Sequence, residues 1–196
     1  EWCHALSTLD PRPLEAPLDA EADAVALRSF VEDGHQILLC QSYAKNFGLY
    51  GERVGALSAV CASKEEKAAL ESQLKAIIRP MYSSPPIHGA RIVKEVLGDD
   101  KLRAQWTGEC KEMAARIQEM RALLREGLKA AGSTKDWSHI TDQIGMFAYT
   151  GLSKEQVQQM RDESAVYCTL DGRISVAGLN RDNVAYVAAA IHAVSK

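Results

Sequence analysis

The chain has 196 residues, 46% of them hydrophobic and 25% charged, and a formal net charge of −3. That is enough for one well-buried domain or two small ones, and apolar residues are too plentiful for a disordered chain. No apolar run approaches the roughly 18–20 residues of a membrane-spanning helix, and the scattered Lys and Arg give no electrostatic footprint for nucleic acid.

The opening stretch, EWCHALSTLDPRP, is neither basic nor continuously apolar, so no targeting segment is expected in it, and without an initiator Met residue 1 need not be the start of the encoded protein. Pro11, Pro13 and Pro17 interrupt any regular period and predict an extended, poorly ordered segment over residues 1–18. Ala24, Leu27 and Val31 share a face of a helix predicted over Ala20–Glu32, with Gly34 as its closing residue. Two short apolar runs follow, QILLCQS (36–42) and ALSAVCA (56–62), joined by the glycine-punctuated loop KNFGLYGERVG. Continuous apolar runs of this length predict buried strands from the middle of an α/β sheet.

Ser63 is placed to cap a helix over residues 63–78, with Glu66 completing a capping box. Pro85-Pro86 enforces a turn-rich connection, and a short helix from Gly89 to Leu97 follows. The longest element spans Asp100–Ala131, where Leu102, Trp106, Met113, Ile117, Met120, Leu124 and Leu128 recur at helical spacing. This stripe suits a helix packed on a core, with a coiled coil as the alternative. Beyond Gly132, residues 143–150 read as a strand and Ser153–Asp162 as a capped helix. AVYCTLDGRISVAG reads as a hairpin turning at Asp171-Gly172, and Asn183–Val194 as a closing amphipathic helix. This tail is an α+β module.

Cys3, Cys40, Cys61, Cys110 and Cys168 are odd in number and never in CxxC spacing, which argues against a disulfide framework and for a reducing, intracellular compartment. His4, His35, His88, His139 and His192 show no ligand spacing, so no metal site is expected. Lys45 follows a predicted strand, with Ser42 before it and Arg53 after it. A partly desolvated amine there would form Schiff bases, and the hydroxyl, guanidinium and loop amides would cradle a phosphate. On the residues alone, a solvated lysine in a turn-rich loop is the favoured reading. Arg79, beside Tyr82 and Ser83, and Arg173, two residues before Ser175, are candidate carboxylate clamps or plain surface arginines.

Four segments, QSYAKNFGLYGERVGALSAVC, ESQLKAIIRPMYSSPPIHGARIV, HITDQIGMFAYTGLSKEQV and DGRISVAGL, resemble the C-terminal half of the aspartate aminotransferases, particularly eukaryotic mitochondrial and plant-like forms. The resemblance runs from about Asp19 to Lys196. It implies that Lys45 holds pyridoxal 5'-phosphate as a Schiff base and then moves the proton at the substrate Cα. It further implies that Ser42 and Arg53 bind the cofactor phosphate, that Arg173 clamps the substrate α-carboxylate, and that Tyr50, Ser83 and Phe147 line the site. Arg79 would reach into the partner subunit of a homodimer and bind the distal carboxylate of aspartate or glutamate. The family's phosphate loop, its ring-stacking aromatic and its ring-contacting asparagine have no counterparts here. The Asp-x-Ala-Tyr-Gln-Gly-Phe stretch expected before Asp19 is replaced by EWCHALSTLDPRPLEAP, in which Asp10 is not assigned the role of pyridinium partner.

The resemblance therefore implies residues 19–111 as the C-terminal part of a three-layer αβα large domain, and 112–196 as a small α+β domain. The implied activity is amino-group exchange between L-aspartate and 2-oxoglutarate, giving oxaloacetate and L-glutamate, with the mitochondrial matrix favoured over the cytoplasm. A competing expectation is a truncated, inactive chain that acts at most as a dimerisation or interaction module.

Overall fold

The computed structural model describes residues 24–196, so the expectations for 1–18 and for the first turn of the helix begun at Ala20 lie outside the described residues. The chain divides between Cys110 and Lys111 into two compact units.

In the first unit, helix α1 (Val25–Glu32) ends as Gly34 adopts φ 82°, the left-handed conformation that closes helices. Strands β1 (Leu38–Ser42) and β2 (Gly55–Ala59) then pair antiparallel, Cys40 opposite Leu57 and Ser42 opposite Gly55. Bonds from Val60 N to Ile37 O (3.0 Å) and from Tyr43 N to Val54 O (3.1 Å) extend the ladder at both ends. A Cβ on Gly55 would lie 2.4 Å from the Gln41 carbonyl oxygen, so no larger residue fits at the mouth of this pair.

The expectation that both runs are buried is corrected: Leu38 is 67% and Leu57 51% exposed. Among the described residues the two strands pair only with each other, and no described element seals either face. Their apolar composition suits a covered sheet that these residues do not themselves complete.

Helix α2 (Lys64–Met81) begins where expected: the Ser63 hydroxyl accepts from Glu66 N at 3.1 Å. The Glu66 carboxylate takes the Ala62 N–H, at 2.6 Å, rather than that of Ser63, so the predicted reciprocal box is displaced by one residue. The helix also runs past its predicted end, through Pro80, which stands one residue before its last and has no N–H to give the Ala76 carbonyl. The Ile78 carbonyl accepts from both Tyr82 N and Ser83 N at 3.1 Å, and Ser83 turns the chain at φ 56°. Helix α3 (His88–Gly98) follows. Asp99 then caps helix α4 (Asp100–Ala130) by accepting from Lys101 N at 2.8 Å and Leu102 N at 3.0 Å.

The second unit holds the hydrophobic core. Met120, Leu124 and Leu128 on α4 pack with Ile140 of α5 (Ser138–Asp142), Val157 and Met160 of α6 (Lys154–Ser164), and Ala188 and Ile191 of α7 (Val184–Val194). The stripe predicted on the long helix is thus a core face over these residues, whereas Leu102 and Met113 stay exposed. Helix α6 starts with a complete capping box: Gln156 N donates to the Ser153 hydroxyl at 3.2 Å, and Ser153 N donates to Gln156 Oε1 at 2.8 Å.

Strand β3 (Phe147–Tyr149) is shorter than the predicted 143–150, and it pairs antiparallel with β4 (Arg173–Ser175). The predicted hairpin is therefore corrected. The turn forms, with Gly172 at φ 83° and its N–H on the Thr169 carbonyl at 2.9 Å, but the strand leaving it pairs with β3. Ala148 and Ile174 supply the buried face of that pair, which a local hairpin would leave uncovered.

A Cβ on Gly172 would meet the Leu152 carbonyl and the Thr150 hydroxyl at 3.0 Å, and L-residues are strained at this φ. Gly172→Ala is expected to destabilise the second unit by about 1–3 kcal/mol, read as a lower midpoint in denaturant with an unchanged slope. No helix among the described residues is long and apolar enough to cross a membrane. Cys40, Cys61, Cys110 and Cys168 are free thiols.

Candidate active site

The loop joining β1 to β2 gathers four of the predicted site residues. Ser42 ends β1, and its hydroxyl oxygen accepts from Ala44 N at 3.1 Å, leaving its own O–H to donate elsewhere. Lys45 follows in a turn closed by Gly48 N on the Lys45 carbonyl at 3.1 Å, and its Nζ lies 4.9 Å from the centroid of the Tyr50 ring. Arg53 stands at φ 49°, in left-handed backbone, and its Nη1 donates to the Tyr50 carbonyl at 3.0 Å. Ser42 pairs with Gly55, two residues past Arg53, so the two residues stand near the same end of one ladder.

The Lys45 amine is exposed rather than partly desolvated, which corrects the environment expected for it. It is nonetheless restrained, since a cation over an aromatic face is held by the ring quadrupole. An amine condenses with aldehydes, and a hydroxyl with a guanidinium suits a phosphate dianion. This donor set fits a phosphorylated aldehyde.

The loop is tied down from α4. The Trp106 indole N–H donates to the Asn46 carbonyl at 2.8 Å, and the Phe47 ring stacks on the indole at 4.8 Å. On the loop's far side Glu52 meets His88 Nδ1 at 3.1 Å, beside the close packing of Gly89 on the Glu52 and Val54 side chains. Arg79 lies exposed in the last turn of α2, and Ser83 follows in the turn beyond it. No described contact joins either residue to the 42–53 loop.

In the second unit, strand alternation places Phe147, Tyr149, Arg173 and Ser175 on the face of β3–β4 opposite the core. The Arg173 guanidinium carbon lies 4.8 Å over the Phe147 ring, and its planar fork suits a carboxylate bound through two parallel hydrogen bonds. Asp171 shapes the turn before it. The Thr169 hydroxyl and then the Arg173 N–H stabilise its carboxylate, holding the carboxyl below the usual range.

Three supporting residues were not singled out from sequence. Arg121, almost fully buried, donates to the carbonyls of Ile140 (2.7 Å), Gly145 (2.8 Å) and Phe147 (2.6 Å), fixing the approach to β3. Burial pulls its guanidinium down to about 10, which leaves it charged at neutral pH. Gln143 brackets Tyr149, accepting from its N–H at 2.7 Å and donating to its carbonyl at 3.2 Å. Trp106 was read only as part of the apolar stripe. A signal for Arg121 existed: it occupies the stripe itself, between Ile117 and Leu124, where an apolar residue is expected.

Comparison with known proteins gives the class, the fold-type I transaminases. The model of the family "Aminotransferase class I and II" matches residues 16–191, and the chain belongs to this pyridoxal-phosphate-dependent family. It is 56% identical over 176 residues to the mitochondrial aspartate aminotransferase of Dictyostelium discoideum, covering 90% of this chain and 41% of that protein. To the mitochondrial aspartate aminotransferase of Gallus gallus it is 54% identical, covering 91% of this chain and 42% of that protein. The chain thus spans less than half the length of these curated relatives.

Among solved structures, a mitochondrial aspartate aminotransferase from Trypanosoma brucei superposes with a TM-score of 0.88 at 50% identity, covering 91% of this chain and 47% of that one. The aromatic-amino-acid aminotransferase from Burkholderia pseudomallei, covalently bound to pyridoxal phosphate, superposes with a TM-score of 0.89 at 44% identity, covering 100% and 51%.

Proposed function

We propose that this chain carries the cofactor-lysine loop and the carboxylate clamp of an aspartate aminotransferase. The activity is amino-group exchange between L-aspartate and 2-oxoglutarate. The observation that carries the reading is the assembly of Ser42, Lys45, Tyr50 and Arg53 on one loop, in a chain of this family.

Pyridoxal 5'-phosphate bound there supplies the electron sink for chemistry at the substrate Cα. The Ser42 hydroxyl and the Arg53 guanidinium hold its phosphate, and Tyr50 lines the same site. Lys45 Nζ would hold the cofactor through its aldehyde and would serve as the base that moves the proton at the substrate Cα. Arg173 binds the α-carboxylate, with Phe147 beneath it limiting the approach. Arg79, with Ser83 beside it, binds the distal carboxylate in the partner subunit of a homodimer. The mitochondrial names of the relatives support the mitochondrial matrix as its location.

The test is an assay of the purified chain with cofactor, L-aspartate and 2-oxoglutarate. Oxaloacetate and L-glutamate are expected in equal amounts, and turnover of neutral amino acids in preference to aspartate would contradict the assignment.

A second reading is favoured by the distribution of apolar surface. The core lies in the second unit, while Leu38, Leu57, Ile77 and Met81 of the first unit are exposed. On this reading the chain is an inactive fragment that associates through that surface. Cofactor capture without turnover, in a soluble and cooperatively melting protein, would support an interaction module. Aggregation on expression, promoted by the uncovered strand edges, would indicate a broken enzyme.

A further inference from the structure

We propose that Trp106 is a positioning residue for Lys45, holding the lysine's backbone so that the amine is presented to the cofactor. The inference rests on the reading of Lys45 given above.

Lys45 has an exposed side chain, steadied only at its tip by the Tyr50 ring 4.9 Å from the amine. Its presentation therefore depends on the peptide that carries it, and that peptide is gripped on both sides. The Asn46 carbonyl, immediately after the lysine, accepts from the Trp106 indole at 2.8 Å and faces the Cys110 thiol at 3.7 Å, one helical turn further along α4. Phe47 lies nearly parallel to the indole, at 4.8 Å and 19°. Tyr43 in turn meets Phe47 edge-on at 5.4 Å and 89°.

Residues two before, one after and two after the lysine are thus linked to a single indole. Rings in these arrangements gain from their quadrupoles, and the indole N–H is a donor with no other role. The phosphate donors Ser42 and Arg53 are placed differently, by the β1–β2 ladder and by the Tyr50 carbonyl. Loss of the indole should consequently misplace the amine while sparing the phosphate contacts.

The test uses the full chain with Trp106→Phe, which keeps a stacking ring and deletes the donor, and Trp106→Ala, which deletes both. Pyridoxal 5'-phosphate is added over a range of concentrations, borohydride traps the adduct, and peptide mapping reports the rate at Lys45. A displaced reacting group costs up to about 100-fold. Trp106→Ala is therefore expected to lower the limiting rate at Lys45 by about 10- to 100-fold, with Trp106→Phe between it and the parent. The half-saturating concentration should stay unchanged in both.

Amide exchange supplies a second readout. The Gly48 and Tyr43 N–H groups should lose protection in the variants, while those of residues 147–175 do not. A limiting rate in Trp106→Ala equal to that of the parent would overturn the proposal, as would equal losses of protection in both regions in Trp106→Phe. If the parent itself shows no selective reaction at Lys45, the functional reading fails instead, and unchanged loop protection in the variants would reject the anchor separately.

Discussion

Lys45→Ala is expected to abolish covalent capture of pyridoxal 5'-phosphate and to lower transamination by about 10⁴-fold or more. On the function proposed above, the substitution removes both the attachment point and the group that moves the proton at the substrate Cα, and positioned acid–base groups alone contribute up to about 10⁴-fold. The fold should not suffer. Lys45 is exposed, its backbone bonds to Gly48 survive, and exposed substitutions of this kind change stability by no more than about 0.5 kcal/mol. The decisive comparison is therefore between the rate of oxaloacetate formation and the thermal midpoint, measured on the same preparation. Loss of the first with retention of the second is the expected pattern. A variant that keeps its activity would remove Lys45 from the mechanism.

The second large effect is expected at Arg173. Its guanidinium lies on the outer face of β3–β4, steadied by the Phe147 ring at 4.8 Å, and it offers two parallel donors to a carboxylate. Charge-assisted hydrogen bonds contribute about 1.5–3 kcal/mol each. Arg173→Leu should thus lower kcat/KM for L-aspartate by about 10²- to 10⁴-fold. Arg173→Lys should recover only part of this, because an ammonium lacks the planar fork. Capture of the cofactor at Lys45 should be untouched in both variants, since the phosphate donors sit on a different loop. Steady-state kinetics together with the trapping assay separates the two roles, and loss of cofactor capture in Arg173→Leu would contradict the division of labour.

What sequence made legible here is local chemistry. Ser63 and Ser153 announce helix starts, because a short hydroxyl side chain at the N-cap satisfies a specific backbone N–H. Gly34 and Gly172 mark sites of positive φ. Leu124 and Leu128 recur at the spacing of a buried helix face. Pairing and burial were less legible. The run before Asp171 looked like the natural partner of β4, yet the partner is Phe147–Tyr149, chosen by the burial of Ala148 and Ile174 against the core.

The two apolar strands show the same limit from the other side. Their composition announces a covered sheet, but whether anything covers Leu38 and Leu57 is not written in the strands. The site residues were placed by resemblance, and physics alone left a lysine in a loop. Trp106 was hidden because its position in the apolar stripe conceals the donor use of its N–H. Arg121 was legible in principle, as a charge standing in an apolar stripe that only backbone carbonyls in the core satisfy.

The central claim is that residues 42–53 form a cradle for a phosphorylated aldehyde, with the phosphate held by Ser42 and Arg53 and the aldehyde by Lys45. The most direct measurement compares borohydride-trapped labelling by pyridoxal 5'-phosphate and by pyridoxal, which lacks the phosphate, with each adduct mapped to its lysine. The account predicts selective labelling of Lys45 by the phosphorylated form alone, suppressed by inorganic phosphate and by Arg53→Ala. Equal labelling by both aldehydes, spread over the exposed lysines and indifferent to phosphate, would contradict it.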